Sequence, residues 1–324
     1  MPDNNKSARQ FITGGAGFIG SHLTDRLLAE GNIITVYDNL ASGKKENIAG
    51  HFDEDNFTFI EADLLDFRTL KEAMRGHEIV WHLGANTDIP GGNRVTDLDL
   101  RNCTIGTYNV LEAMRQNGID QLQYTSTSAV YGDIEKMPTT EDDGPILPIS
   151  LYGAGKLAGE GLVSAYCHLF GIRARIFRFG NVVGHRMGHG VIFDFIAKLK
   201  RNPDELEILG DGTQDKNYFL VEDCIDGMLC ALRNSQKQCD VFNLGSETNV
   251  NVTTIARIVT EEMGRNGIPS RYTGGKRGWP GDVPIVHFSL RKIAGLGWEP
   301  KHTSEEAVRI AARRLLGKEA LVYG

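Results

Sequence analysis

A glycine run set between an apolar strand and an amphipathic stretch constrains this chain more than any other feature. Gln10-Phe11-Ile12-Thr13 reads as a buried strand, Gly14-Gly15-Ala16-Gly17-Phe18-Ile19-Gly20 follows at once, and Phe18 to Glu30 continues with helical period. Such a strand-turn-helix unit suits a pyrophosphate: Gly14 permits the tight turn, Gly17 lets the backbone approach the phosphates, and Gly20 lets helix and strand pack closely. The first helical N–H groups, at Phe18 and Ile19, add donors and the positive end of the helix dipole. An ordinary glycine-rich turn is the plain alternative. Against it, Asp38 ends the second strand 18 residues after Gly20, close to the spacing of about 20 expected of a carboxylate that accepts ribose hydroxyls. A carboxylate there repels a 2′-phosphate, which predicts NAD rather than NADP. Lys44 and Lys45 oppose that preference mildly and read as a solvated pair in the loop after Asp38.

Short β-branched or aromatic runs alternate with stretches of helical period through the first half, as βαβ units in a parallel sheet should. Strands are expected at Arg9 to Thr13, Ile33 to Tyr37, Phe57 to Ile60, Ile79 to Leu83, Gln121 to Ser126 and Arg173 to Phe179. The clearest helices are Phe18 to Glu30 and Asp99 to Asn117; the second sets Leu100, Cys103, Thr107, Val110, Leu111 and Met114 on or near one face. Gly31 and Gly118 fall where C-caps belong. The expected architecture is α/β, a Rossmann-type doubly wound parallel sheet with a smaller C-terminal substrate-binding lobe. The dinucleotide domain takes residues 1–180 and the lobe mainly 181–324. Asp223 to Leu232 and Val241 to Leu244 look like a helix and a core strand, so the chain is expected to return to the sheet at about 220–245.

At 324 residues, 41% hydrophobic and 24% charged, the composition is globular and long enough for two cooperating lobes. The net charge of −7 leaves no electrostatic footprint for nucleic acid or an anionic membrane. Met1 to Gln10 is polar and charged, and no apolar run approaches the roughly 18 residues of a bilayer span, so neither a membrane nor export is expected. The five cysteines, Cys103, Cys167, Cys224, Cys230 and Cys239, are scattered and lack ligand spacing, which favours reduced thiols in a cytoplasm.

Tyr152-Gly153-Ala154-Gly155-Lys156 places a phenol and an ammonium one helical turn apart. A phenol of ordinary pKa near 10 is a poor base at neutral pH, but a neighbouring cation and a positive nicotinamide favour its phenolate. Upstream, Tyr124-Thr125-Ser126-Thr127-Ser128-Ala129-Val130-Tyr131-Gly132 brings hydroxyls to the carboxyl edge of the sheet, where ligands bind in this architecture. Asp63-Leu64, after the third strand, has two readings: it brackets an adenine, or Asp63 is a surface Asp capping the helix from Asp66.

Together these segments resemble the extended short-chain dehydrogenase/reductases of the nucleotide-sugar epimerase and dehydratase group, over nearly the whole length. The matching pieces are GGAGFIGSHL from Gly14, YDNLASG from Tyr37, WHLGAN from Trp81, GTYNVLEAM from Gly106, TSTSAVYGD from Thr125, YGAGK from Tyr152, FRFGNVVG from Phe177 and GDGTQDKNY from Gly210. Within the group the sequence is most similar to UDP-glucose 4-epimerases. The resemblance implies that Tyr152 is the acid/base on the sugar 4-OH, that Lys156 binds the nicotinamide ribose and tunes Tyr152, and that Thr127 hydrogen-bonds the same oxygen. It implies further NAD contacts from Asn39, Ser42, Gly43, Asp63, Leu64, Leu83, Gly84 and Ala85. Asn181, Lys216 and Arg277 would meet the nucleotide diphosphate, and Tyr218 either packs on the substrate or fills an edge strand. A homodimer is implied too, through the helices Asp99 to Asn117 and Tyr152 to Phe170.

Departures from the family pattern are equally specific. Lys216 stands where many relatives have Arg, a point charge in place of a fork. Arg277 is about two residues further from Gly281-Asp282 than in the commoner pattern. Cys103 falls where relatives carry an Asn beneath the cofactor; Asn102 adjoins it, though a one-residue shift points about 100° elsewhere. Gly155 replaces a usual Ser and Gly84 a usual Ala. His22, His82, His185 and His189 lie in different elements without a metal-ligand pattern, so no metal is expected, while His185, Arg186 and His189 flank the expected sugar cleft. Phe177, Phe179, Phe193 and Phe195 read as core.

Relatives that dehydrate place an Asp-Glu pair after the catalytic Thr, and those that decarboxylate place a Glu two residues after it. This chain has Ser128 and Ala129. The expected reaction is therefore oxidation and re-reduction at C4 of a UDP-type hexose. The alternative is a 4-dehydrogenase, ketoreductase or 4,6-dehydratase acting on another nucleotide sugar. Val286, where some epimerases have a bulky Tyr, either widens the sugar pocket for N-acetylated hexoses or packs in the lobe.

Overall fold

Runs such as Ile33-Ile34-Thr35-Val36-Tyr37, branched and buried along their length, form strands covered on both faces, the condition of a parallel sheet. The computed structural model describes residues 7–319, so residues 1–6 of the polar opening segment lie outside the described residues. The first elements are β1 (Arg9–Thr13), α1 (Phe18–Ala29), β2 (Ile33–Asp38), β3 (Phe57–Glu61), α2 (Phe67–Ala73), β4 (Ile79–His82) and α3 (Ile89–Gly92). A π-helical segment (Leu100–Ile105) leads into α4 (Gly106–Asn117), followed by β5 (Gln121–Thr127), α5 (Leu151–Phe170) and β6 (Arg173–Phe179). The chain goes on through β7 (Asn181–Val183), α6 (Val191–Arg201), β8 (Leu206–Ile208), β9 (Asp215–Lys216), β10 (Tyr218–Leu220) and α7 (Val221–Asn234). The last elements are β11 (Cys239–Leu244), β12 (Val250–Asn251), α8 (Val252–Glu262), β13 (Ser270–Tyr272), β14 (Ile285–Val286), α9 (Arg291–Ala294) and α10 (Ser304–Leu315).

Seven strands make one sheet in the order β11-β6-β5-β4-β1-β2-β3. From β1 the chain winds outward through β2 and β3, then returns to β4 on the other side, all in parallel pairs. The reversal between β1 and β4 is the switch point beside which ligands bind at the carboxyl ends of the strands. Phe11, Val80, Leu122 and Tyr124 on one sheet face join Val110, Leu111 and Met114 of α4 and Val163 and Cys167 of α5 in a continuous core. Each such side chain contributes about 1.5–3 kcal/mol by leaving water. Gly118, at φ 70°, ends α4 in the left-handed conformation expected of a glycine cap.

Two compact units emerge. One comprises the chain up to Val130, Leu151–Phe177 and Ala231–Val241. The other takes Tyr131–Ser150, Arg178–Cys230 and the chain from Phe242 onward. In the second, β7 pairs with β10, β9 lies between β12 and β14, β8 pairs with β13, and α8 packs on α6 and α10. No helix among the described residues is long and apolar enough to cross a membrane, and none of the cysteines there is joined in a disulfide.

Two sequence expectations fail locally. The helix expected from Asp99 begins as a π-helical segment, whose wider turn rotates Leu100 off the core face; Leu100 is 54% exposed while Cys103, Thr107, Val110, Leu111 and Met114 are buried. Phe193 lies on α6 rather than a strand and is 39% exposed, whereas Phe177, Phe179 and Phe195 are core.

Candidate active site

The turn after β1 is shaped by close backbone approach. A methyl on Gly14, whose φ is +69°, would stand 2.8 Å from the Gly84 nitrogen, and one on Gly20 would stand 2.2 Å from the Gly14 carbonyl oxygen. These glycines therefore leave a cradle with no side chain in it, and α1 starts above it at Gly17 with no side-chain cap on its first N–H groups. Those donors suit a pyrophosphate. Asp38 lies at the end of β2, buried, its Oδ2 accepting from Ala16 N at 3.0 Å and its Oδ1 from Leu40 N at 2.8 Å. Burial pushes this carboxyl up, and the two backbone donors pull it back. The acceptor, the cradle and the dipole together fit a dinucleotide.

The rest of that rim gathers around the same edge. A Gly43 methyl would lie 3.0 Å from both Asp38 oxygens, so the Ser42-Gly43 turn closes over the carboxylate. Asn39 donates to Asp63 Oδ2 at 2.8 Å, and Asp63 also accepts from Leu65 N and, through its carbonyl, from Tyr37. Asp66, not Asp63, caps α2. Leu64 reaches within 2.9 Å of where a Gly84 methyl would be, so the small residue at 84 makes room for it. Leu83 and Gly84 are tied to Thr13 through backbone and hydroxyl, and Ala85 follows them at the edge. Lys44 and Lys45 are both exposed, as expected of a solvated pair, and Lys45 makes a half-exposed ion pair with Glu61 at 2.8 Å.

One turn of α5 carries Tyr152 and Lys156. The Tyr152 phenol is hydrogen-bonded with Thr127, whose Oγ1 also accepts from Ala129 N at 3.2 Å. Lys156 is buried; its Nζ donates to the Thr125 carbonyl at 2.7 Å and lies 5.1 Å from the Tyr124 ring centre. Tyr124 in turn donates to the Lys156 carbonyl at 3.2 Å. Burial pulls the ammonium below its ordinary value, opposed by Cys103, Glu160 and Asp99. The expectation that the neighbouring cation lowers Tyr152 is corrected here: burial, then Cys103 and Asp99, push the phenol up, and only the Thr127 bond opposes them. Desolvation penalises the phenolate more than the protein's own groups compensate.

Beneath this turn lies Asp99, which sequence reasoning missed, beside the Cys103 that it singled out. Asp99 and Cys103 contact the helix at Gly155, and Asn86 donates to Asp99 Oδ1 at 2.9 Å. Asn102 does not take the place of the missing amide, since its Nδ2 donates locally to the Leu98 carbonyl at 2.8 Å. The signal was the pair of departures at 103 and 155, small side chains facing each other across two elements.

Residues assigned to the phosphates lie in the second unit. Asn181 opens β7 and donates to the Asn217 carbonyl at 3.0 Å. Lys216 pairs with Asp282 Oδ1 at 2.6 Å and sits over the Trp279 ring. Arg277 donates to both oxygens of Asp133 and to the Asp282 carbonyl. Tyr218 is buried in the lobe, its phenol pushed up by burial and by Asp282 and Asp215, which favours the filling role for its side chain. Val286 is likewise buried. Asp133, Trp279 and Asp282 were not singled out from sequence, because hydrogen bonding between distant loops has no periodic signature.

His82 is held by Thr13 at 2.7 Å and Thr107 at 3.0 Å, and burial, then Lys156, lowers it to about 3, a neutral structural imidazole. No cluster that could hold a metal occurs among the described residues.

A family model described as the NAD dependent epimerase/dehydratase family matches residues 10–245. A solved structure of a UDP-galactose 4-epimerase is 37% identical, with a TM-score of 0.86 over 96% of this chain and 99% of that one. The UDP-glucose 4-epimerase of Thermotoga maritima, solved with UDP-glucose, is 30% identical with a TM-score of 0.86 over 95% and 99%. UDP-glucuronic acid decarboxylase 1 of Xenopus tropicalis is 32% identical over 308 residues, 93% of this chain and 70% of that protein.

Proposed function

The chain belongs to the NAD-dependent epimerase/dehydratase family, and on that premise we propose that it inverts C4 of a UDP-type hexose through a 4-keto sugar. One observation carries the choice among the family's reactions. The group bonded to Tyr152 is the Thr127 hydroxyl, and Ser128 and Ala129 follow Thr127 where a dehydrating or decarboxylating relative has a carboxylate. Glu160 is buried and engaged by Ser126 at 2.5 Å. Without a side chain to take a C5 proton, chemistry stays at C4.

Bound NAD supplies the hydride acceptor and donor. Gly14, Gly17 and Gly20, with the first N–H groups of α1, hold its phosphates; Asp38 takes a ribose; Lys156 orients the nicotinamide ribose. The Tyr152 phenolate is favoured by the positive nicotinamide ring of bound NAD against the burial that pushes the phenol up. In that form Tyr152 accepts the 4-OH proton as C4 is oxidised and returns it after the sugar has presented its opposite face, so no net redox change occurs. Asn181, Lys216 and Arg277 anchor the diphosphate. The hexose contacts stay loose, because tight binding of the sugar would block its rotation.

Purified enzyme given UDP-galactose should form UDP-glucose, followed by NMR. Tyr152→Phe should cut kcat on the order of 10²–10⁴-fold while NAD occupancy and unfolding midpoint stay put. No interconversion of UDP-hexoses with NAD bound would end this reading; stoichiometric NADH accumulation would favour a 4-dehydrogenase instead.

A homodimer through α4 and α5 is supported by the apolar outer faces of these helices: Tyr108, Leu151, Phe170 and Leu169, the last 72% exposed, with Ala154, Ala158, Gly161 and Ala165 between them. Leu169→Glu should shift sedimentation toward a monomer, and an unchanged species distribution would remove this interface.

A further inference from the structure

The turn bearing Tyr152 and Lys156 rests on a buried carboxylate that the assignments above leave unused. Asp99 is 1% exposed and immediately precedes the π-helical segment. Its Oδ1 accepts from Asn86 at 2.9 Å and faces Cys103 Sγ at 3.9 Å, while its Oδ2 has no partner. Two glycines make room for it. A methyl on Gly92 would lie 2.4 Å from Oδ2, and one on Gly155, the residue before Lys156, would lie 3.0 Å from both the Asp99 carbonyl oxygen and Cys103 Cβ. An unsatisfied buried acceptor costs about 1–3 kcal/mol, more when charged, and π-helical turns concentrate at functional positions.

We propose that Asp99 is a positioning residue for the Tyr152–Lys156 pair, its buried carboxylate serving as the counter-charge beneath the turn that carries both. The proposal rests on the reading of Tyr152 as proton carrier. It makes the buried carboxylate the polar group beneath the site in place of the amide expected at 103, and explains why Cys103 suffices there: the thiol only has to face Oδ1. The charged and titratable groups that interact with Asp99 are Lys156 and Tyr152 on α5, Cys103 on its own turn and Asp88 at the start of α3. Burial pushes the Asp99 carboxyl up, while Asn86 and Lys156 pull it back; Glu160 and the neutral His82 interact with Lys156 rather than with Asp99. Asp88 is itself met by Arg94 at 3.2 Å. Lys156 is thus the cation facing Asp99 from α5, and their coupling has a definite sign. Removing the charge lowers both the Tyr152 and the Lys156 proton affinity.

The test is the titration of Tyr152 in NAD-loaded protein, read as tyrosinate absorbance after subtraction of the same background carrying Tyr152→Phe. Asp99→Asn should move the midpoint to lower pH, or bring into range a phenol that does not titrate in the parent. In parallel, kcat on UDP-galactose should shift its whole profile downward, so that the variant-to-parent ratio falls by more than about threefold from the acidic to the alkaline end. A purely structural role predicts a lower rate with an unmoved midpoint and a pH-independent ratio, which would overturn the proposal. A moved midpoint in a protein that turns over no UDP-hexose would instead overturn the proposed reaction and leave Asp99 standing. Should Asp99→Asn fail to fold, Asp99→Ser, smaller and equally neutral, carries the same expectation.

Discussion

Each oxygen of Asp38 already accepts one backbone N–H and keeps lone-pair capacity for a ribose hydroxyl. Asp38→Asn removes both the charge and one of the acceptors. It should weaken NAD binding roughly tenfold or more, the worth of a charge-assisted hydrogen bond, while NADP loses less or gains. Calorimetric titration with both cofactors decides it, and equal weakening of the two would take the ribose role away from Asp38. Residues such as Asp38, Tyr152 and Lys156 were legible because their spacing along one strand or one helical turn carries the chemistry. Asp99 was not. What buries it is Gly92 from one helix and Gly155 from another, 63 positions further on, and no local pattern encodes that meeting.

Between elements, the seating of α5 on the sheet depends on one missing side chain. A methyl on Gly159 would stand 2.2 Å from the Tyr124 hydroxyl, the group that donates to the Lys156 carbonyl. Gly159→Ala should therefore push Tyr124 away, cost about 1–3 kcal/mol as overpacking does, and lower kcat by disturbing the turn that carries Lys156. Denaturant unfolding and steady-state kinetics read the two effects; an undiminished stability would mean that Tyr124 yields freely. The periodicity of α4 was plain from sequence, and the one-turn spacing of Tyr152 and Lys156 marked α5. The π-helical start of the first was not, since Cys103, Thr107 and Val110 keep a helical spacing whether or not the preceding turn is widened.

At the scale of the whole molecule, stability depends on pH through His51, which ties the segment after β2 to α1. Burial pulls its imidazole down, but Asp25 at 2.7 Å and Glu54 at 2.6 Å outweigh that and hold it above its ordinary value. A group raised on folding stabilises fully below its unfolded pKa of about 6.5 and loses that contribution as pH climbs through the folded value. The stability gap between the parent and His51→Gln should accordingly be widest near pH 6 and shrink by about pH 9; a gap that grows with pH would assign the wrong charge state to this cluster. The alternation of strand and helix announced the sheet, including the late return at Val241 to Leu244. The assignment of Tyr131–Ser150 to the second unit was hidden, because bridges such as Gly132 to Leu147 and Thr139 to Phe288 join loops without regular patterning.

That late return has a consequence during synthesis. β6 ends at Phe179, and its outer neighbour β11 begins only at Cys239, about 60 residues later. At about 5–20 residues per second, a ribosome leaves β6 bare for several seconds. Over that interval the Ala174 amide lacks the Gln238 carbonyl that it finally meets, and a nascent border of apolar strand is open to pairing with a neighbouring chain on the same message.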